Sequence, residues 1–212
     1  MRIYAAADLH GRHRNFKIVR EGLRESRADA VVLAGDLLNY GRGRPFLPML
    51  EGLPVPVSLV RGNSDPSWLD RWAAASRNVC SLHLNAVPIN GLELVGISGT
   101  LPIPFNSRAG WREAQGLKRL AALMQPRSIL VAHPPPHGCC DHVLGRFSAG
   151  SRGLARLVRA SKPAVMLCGH IHEAAGVAYL GDTLVVNCAL GGHRRGALVV
   201  METGRPPSAE ML

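Results

Sequence analysis

The sequence predicts an α/β protein, and three observations carry that prediction. Short runs rich in Val, Ile and Leu recur along the chain, helical patterns separate them, and acids, imidazoles and an amide cluster just past the ends of the runs. The runs cover 3–7, 30–34, 55–60, 92–97, 128–132, 164–168, 183–188 and 197–201. Short apolar runs bounded by Gly and Pro suit strands buried on both faces better than helices. Strand–helix alternation in the first half argues for parallel βαβ units. The last three runs follow on shorter connections, which admit antiparallel pairs.

Between the runs, the 14–27 pattern puts Phe16, Val19, Gly22 and Leu23 on one helical face with charges opposite. Asp65-Pro66 ahead of Trp68, Leu69 and Trp72 has the form of an N-cap and a proline at the first helical position. The 111–124 segment repeats Leu117, Leu120, Leu123 and Met124 at helical spacing, and 151–161 does so with Leu154, Leu157 and Val158. The Pro- and Asn-rich stretch 100–110 has no period and reads as a loop over one edge. At 212 residues the chain fits one domain, and 1–212 is expected to be a single domain with no separate cap.

A hydrophobic content of 47% is enough for a buried core. No apolar run reaches the ~18–20 residues that span a bilayer. The start runs straight into a short apolar stretch ending at Asp8, unlike a signal peptide, so a cytoplasmic location and no membrane partner are expected. The five cysteines include no C-x-x-C pair, and Cys168 and Cys188 lie in strand-like runs, as free thiols of a reducing compartment do. Cys139-Cys140 differs in lying close to a candidate metal ligand. The net charge of +10 and a pI near 10.3 point to an anionic partner. However, only Lys17, Lys118 and Lys162 are lysines, and heavy Arg, Ala, Gly and Pro usage also follows from the base composition of coding DNA. Aromatics at 5% are too sparse for a single-strand stacking platform, so nucleic acid is the less favoured partner.

The chemistry-bearing groups are Asp8-Leu9-His10, Gly35-Asp36, Gly62-Asn63-Ser64-Asp65, His133 and Gly169-His170-Ile171-His172. In open α/β sheets ligands collect beyond the carboxyl ends of the strands. Singly, each group has an ordinary structural reading. Gly-Asp and Gly-Asn mark turns, Asp65 serves as a cap, and a lone His133 is a satisfied core histidine. Only the His170/His172 pair is moderately specific for metal by itself. Together, oxygens of Asp8, Asp36 and Asn63 facing the imidazoles of His10, His133, His170 and His172 form a donor set for two divalent cations.

This order, D-x-H, G-D, G-N-x-D, H, G-H-x-H, resembles the calcineurin-like metallophosphoesterase superfamily from Asp8 to His172. The strings His133-Pro134-Pro135-Pro136-His137-Gly138 and Gly169-His170-Ile171-His172-Glu173 are most similar to its small bacterial, cyclic-nucleotide-phosphodiesterase-like members. The resemblance implies a four-layer α/β/β/α sandwich with two facing mixed sheets and a binuclear site. Position by position it implies Asp8, His10 and His172 on one metal, Asn63, His133 and His170 on the other, and Asp36 bridging both. The donor types suit Mn²⁺, favoured here, or Fe or Zn²⁺, and do not suit Ca²⁺. The implied reaction is hydrolysis of a phosphate ester, a phosphodiester before a monoester, by a hydroxide bridging the two ions.

The sequence departs from the pattern in two places. Ser64 stands where relatives carry a histidine near the leaving group, which removes the expected general acid and leaves Ser64 at most a substrate contact. Asn187-Cys188-Ala189 stands where relatives more often have Asn-Pro-Gly. Near the expected mouth, Arg12 and His13 are candidate phosphate contacts, His137 is a candidate proton donor, and Arg61 and His193 lie nearby. Two competing functions are a nuclease, favoured by charge but not by composition, and a catalytically weak scaffold, which the complete ligand set argues against.

Overall fold

The computed structural model describes residues 1–99 and 107–212. Every apolar run forms a strand, and shorter strands join them. In chain order these are β1 Arg2–Ala6, β2 Ala30–Ala34, β3 Val57–Val60, β4 Val79–Ser81, β5 Asn85–Ile89, β6 Leu92–Ile97, β7 Ile129–Ala132, β8 His142–Val143, β9 Phe147–Ser148, β10 Val165–Cys168, β11 Gly176–Leu180, β12 Thr183–Asn187, β13 Ala197–Val200 and β14 Ser208–Met211. The helices are α1 His13–Ser26, α2 Pro48–Glu51, α3 Trp68–Ala75, α4 Ser107–Ala121 and α5 Arg152–Ser161.

Two six-stranded sheets result, in the orders β14-β13-β1-β2-β3-β4 and β11-β12-β10-β7-β6-β5. β1 to β4 are parallel, as are β6, β7, β10 and β12. β13 and β14, and the edge strands β5 and β11, run antiparallel to their neighbours. The sheets are therefore mixed.

The pleat decides the layers, because alternate side chains point to opposite faces. Ile3, Ala5, Val32, Ala34 and Val60 of the first sheet meet Ile129, Val131, Val165, Leu167 and Val186 of the second in one dry layer. The other face of the first sheet, with Tyr4, Ala6, Val31 and Leu33, receives Phe16, Val19 and Leu23 of α1 and Leu69 and Ala73 of α3. The outer face of the second sheet, with Leu130, Met166 and Val185, packs on Leu120 of α4 and Leu154 and Val158 of α5. The architecture is the four-layer α/β/β/α sandwich with two facing mixed sheets.

Two expectations are corrected. Asp65 does not cap a helix: α3 begins at Trp68, and Ser67 at its N-cap makes no side-chain cap bond. Residues 107–110 belong to α4 and not to a loop, whereas the rest of the expected loop, 100–106, lies outside the described residues. Six strands carry too little apolar signal to be seen from the sequence. Among them β5 holds Pro88 and is half exposed, and β8 and β9 have two residues each. By contrast Ser151 does cap α5, its hydroxyl accepting from Leu154 N–H at 2.9 Å.

Gly22 of α1 lies directly against the buried Tyr4 ring, where an added Cβ would meet Tyr4 Cε2 at 2.3 Å, and the Tyr4 hydroxyl is fixed on the Arg195 carbonyl at 2.6 Å. Alanine is the better helix former by ~1 kcal/mol, but overpacking typically costs ~1–3 kcal/mol. Gly22→Ala is expected to lower the melting temperature by roughly 2–4 °C, read by thermal denaturation. An increase would show that the α1–β1 contact is loose.

Candidate metal centre

The sequence-predicted groups sit at the carboxyl ends of the central parallel strands of both sheets. Asp8 follows β1, Asp36 follows β2, Asn63 follows β3, His133 follows β7 and His170 follows β10. The backbone there is forced. Asp8, His10, Asp36 and His170 all adopt positive φ, at 64°, 50°, 52° and 71°. Left-handed conformations cost a non-glycine residue ~1–2 kcal/mol, and strain of this kind gathers at functional sites. Its effect here is to turn each side chain back across the strand ends.

The turned groups converge. Asp8 Oδ1 lies 3.2 Å from His172 Nε2 and 3.8 Å from His10 Nε2. The two imidazole nitrogens are themselves 3.3 Å apart. Asp36 presents one oxygen to each side, Oδ2 at 3.7 Å from His10 Nδ1 and Oδ1 at 3.6 Å from His133 Nε2. His133 Nε2 is also 3.3 Å from Asn63 Oδ1. The His170 ring stands edge-on to His133 with centroids 5.0 Å apart. Ligand atoms of Asp8, His10 and His172 fall within 4.8 Å of one another, as do those of Asp8, Asp36 and His133.

This arrangement makes chemical sense around cations. His133 is fully buried, and its Nδ1 lies 2.8 Å from the Ala34 carbonyl, an atom that only accepts. Nδ1 therefore carries the proton, and in the neutral ring Nε2 turns a lone pair toward the oxygens of Asn63 and Asp36. Asp8 Oδ1 is buried without a hydrogen-bond partner, its 3.2 Å approach to His172 lacking hydrogen-bond alignment. An orphaned buried carboxylate oxygen is costly. Lone pairs facing lone pairs and an orphaned oxygen are both relieved by a positive ion, so the residues present fit two divalent transition metals.

The imidazoles differ in proton affinity. Burial holds His10 and His170 below the ordinary imidazole range. His172 is raised by the Asp8 carboxylate beside it, against the opposing effect of burial. For Asp8, burial pushes upward, but His172, His133 and the His170 N–H outweigh it and leave the carboxyl below its usual range.

A set of groups whose partners the sequence does not show holds the candidate ligands. Both Asp65 oxygens are taken by backbone N–H groups, with Leu38 at 2.7 Å on Oδ1 and Gly62 at 2.9 Å and Leu37 at 3.1 Å on Oδ2. Asp65 thus ties the loop after β2 to the loop after β3. Asn187 donates to the carbonyls of Ile171 at 2.9 Å and Cys140 at 3.2 Å, which fixes the His170–His172 loop from β12 without the expected proline. Arg194 donates to the His172 carbonyl at 2.8 Å. Gly62 is obligatory, because a Cβ there would meet Asp36 Oδ1 at 2.1 Å.

The remaining predicted residues are arranged less closely. The Ser64 hydroxyl donates to the Leu38 carbonyl at 2.7 Å, and its N–H donates to Asp36 Oδ1 at 2.9 Å; the residue orients Asp36 and does not turn its hydroxyl to the cleft. His13 stacks on Phe46, with centroids 4.8 Å apart. Arg12 and His193 are exposed and His137 is partly exposed. Arg61 is bound to Asp70 at 2.6 Å. Cys139 is buried and Cys140 partly buried, and neither falls among the clustered metal-ligand groups of the described residues.

The family model described as calcineurin-like phosphoesterase matches residues 1–174. The chain belongs to the calcineurin-like phosphoesterase family. Among relatives of this phosphoesterase, an uncharacterised protein of Methanocaldococcus jannaschii is 26% identical over 199 residues, covering 88% of this chain and 87% of the relative. A probable cyclic nucleotide phosphodiesterase of Rhodococcus erythropolis is 25% identical over 215 residues, covering 91% and 70%. Two solved structures share the fold at a TM-score of 0.70. TT1561 of Thermus thermophilus is 21% identical, covering 89% of this chain and 88% of that one. A dimetal phosphatase from Danio rerio is 15% identical, covering 100% and 95%.

Filling the centre must expel the proton that Asp8 favours on His172, whose proton affinity lies above the ordinary value of 6.5. Protonation therefore competes with metal. The apparent Mn²⁺ affinity is expected to fall toward acid, with the fall beginning at a higher pH than an ordinary imidazole would set, by up to about tenfold per pH unit for the one proton released. His10 and His170, whose proton affinity burial lowers, compete less. Calorimetric titration with Mn²⁺ at a series of pH values checks it, and an affinity that rises or stays level toward acid would contradict it.

Proposed function

We propose that this phosphoesterase is a hydrolase that uses two divalent metal ions, Mn²⁺ in the first instance, and that phosphodiesters are its preferred substrates. The observation that carries this reading is Asp36, whose two oxygens face His10 on one side and His133 on the other. Asp8, His10 and His172 would hold one ion, Asn63, His133 and His170 the other, and Asp36 would touch both. When bound, such a pair supplies a water nucleophile near neutral pH and draws charge from the phosphoryl oxygens.

The chain's own residues do the rest. Ser64 N–H holds Asp36 in place, and Asp65 holds the backbone on either side. Arg12 and His13 are offered as contacts to the substrate phosphate, and His137 as the group that protonates the departing oxygen. Support for diesters comes from the names of two relatives, the Rhodococcus protein and a glycerophosphodiester phosphodiesterase of Enterobacter lignolyticus that is 26% identical over 197 residues. We read 1–212 as one domain without a cap, which leaves the centre open to both arms of a diester. No helix among the described residues is long and apolar enough to cross a membrane, in keeping with a location in the cytoplasm.

Asp36→Ala is expected to abolish turnover of bis-p-nitrophenyl phosphate at saturating Mn²⁺, whereas His10→Ala, which removes a ligand of one ion only, leaves a measurable remainder. Substantial turnover by Asp36→Ala would contradict the bridge. Because the Ser64 hydroxyl is committed to Leu38, protonation of the departing oxygen falls to His137, and the wild-type rate should depend only weakly on leaving-group acidity. General acid catalysis is typically worth ~10²–10⁴-fold, so His137→Ala should slow alkyl esters by that order while leaving nitrophenyl esters nearly unchanged. A steep dependence in the wild type, or a shallow one unchanged by that substitution, would overturn the assignment of His137.

A further inference from the structure

Two tight turns flank the candidate centre, and they are built alike. In the first, Asn39 and Arg42 pair across Tyr40-Gly41, with N–H···O contacts of 3.2 and 2.9 Å in the two directions. In the second, Arg146 N–H closes on the Val143 carbonyl at 3.1 Å across Leu144-Gly145. Both central residues of each turn have positive φ: 49° and 93° in the first, 52° and 64° in the second. Turns of this hand favour Asn, Asp or Gly at their first central position. Here that position holds Tyr40, 82% exposed, and Leu144, 78% exposed. A bulky apolar residue at such a tip has backbone strain and gains nothing from burial.

Each tip is also tied to the centre. Tyr40 N–H donates to the Ser64 carbonyl at 2.9 Å, next to Asn63. Leu144 N–H donates to Glu173 Oε1 at 2.6 Å, next to His172. One tip is thus tied to the residue after Asn63 and the other to the residue after His172. Phe46 stacks on His13 and Trp68 lies under Arg44 at 5.1 Å, whereas Tyr40 has no ring partner among the described residues. The Tyr40 side chain is exposed, with Arg12 and Arg42 exposed on adjoining loops that touch where Gly11 meets Arg42 and Gly43. Leu144 borders a groove of about 570 Å³ shared with Val177 and Tyr179.

We propose that Tyr40 and Leu144 are specificity-determining contacts for the two arms of a phosphodiester. Tyr40 stacks on a planar arm of the nucleobase class while Arg12 and Arg42 meet the charge of the phosphate, and Leu144 packs against the other arm. This rests on the phosphodiesterase reading above. A planar ring recruits the open face of Tyr40 and an alkyl arm does not.

The test is calorimetric binding of AMP and of glycerol 3-phosphate to the Mn²⁺-loaded chain, which needs no turnover. The wild type should prefer AMP. Stacking on an aromatic side chain is worth about tenfold or more per base, so Tyr40→Ala should reduce that preference about tenfold and Tyr40→Phe should keep it. Tyr40→Asn places a residue that tolerates positive φ at the turn. It should lose the preference yet melt no lower than the wild type, whereas a purely structural Tyr40 would melt lower. For Leu144→Ala, the KM for bis-p-nitrophenyl phosphate should rise severalfold more than that for p-nitrophenyl phosphate, which has a single arm. An unchanged AMP preference in Tyr40→Ala, or equal KM effects on diester and monoester in Leu144→Ala, would overturn the proposal. Loss of all diester turnover in the wild type, with the AMP preference still dependent on Tyr40, would sink the phosphodiesterase reading and leave the Tyr40 contact standing.

Discussion

The Asp65 carboxylate is the constraint on which the geometry of the centre depends. It receives N–H groups from Leu37, Leu38 and Gly62, and so joins the loops that leave β2 and β3. Asp36 lies on one of those loops and Asn63 on the other. Burial pushes the Asp65 carboxyl above its ordinary range, and the three N–H groups oppose that push. Hydrogen bonds to a charged group are worth more than neutral ones, and leaving several buried donors without partners would cost several kcal/mol. With this clamp in place, Gly62 can press against Asp36, and the Ser64 N–H can orient its Oδ1.

The clamp supports an arrangement that is unfavourable by itself. Four candidate ligand residues hold positive φ, two imidazole nitrogens face each other at 3.3 Å, and Asp8 keeps an oxygen without a donor. A fold tolerates such a cluster where the surrounding structure over-determines it. Two facing sheets do this here, since the dry layer between them is filled by small and branched residues such as Ala5, Ala34, Val131 and Leu167. The same frame holds the second half of the centre through Asn187, which pins the Ile171 carbonyl from the neighbouring strand. Packing energy accumulated in the layers thus sustains strain at their edge.

How much of this is legible in the sequence follows from the kind of signal each part leaves. Strands buried on both faces leave continuous apolar runs, and all of those are readable. The edge strands β5, β11 and β14 are half exposed and short, and their pairing is imposed by the neighbouring strand and not by their own composition. The candidate ligands are readable because Asp8, Asp36, Asn63, His133 and His170 each follow a run. Asp65 reads as a cap because an acid before a proline and an apolar stripe has the local form of a helix start. Its true partners, Leu37 and Leu38, lie 28 and 27 residues away, and no local pattern reports them. Asn187 is noticed in the sequence only through its missing Pro-Gly, and its bonds to Ile171 and Cys140 leave no local sign, because they join loops that meet only in the folded chain.

Whether the cluster holds two ions side by side is tested most directly by metal analysis together with electron paramagnetic resonance on the Mn²⁺-loaded chain, which read both number and proximity. The expected result is two Mn²⁺ per chain with the spectrum of an exchange-coupled pair, which Asp36→Ala converts to that of isolated ions. One ion or none per chain at saturating Mn²⁺, or two ions with uncoupled spectra in the unaltered protein, would contradict it.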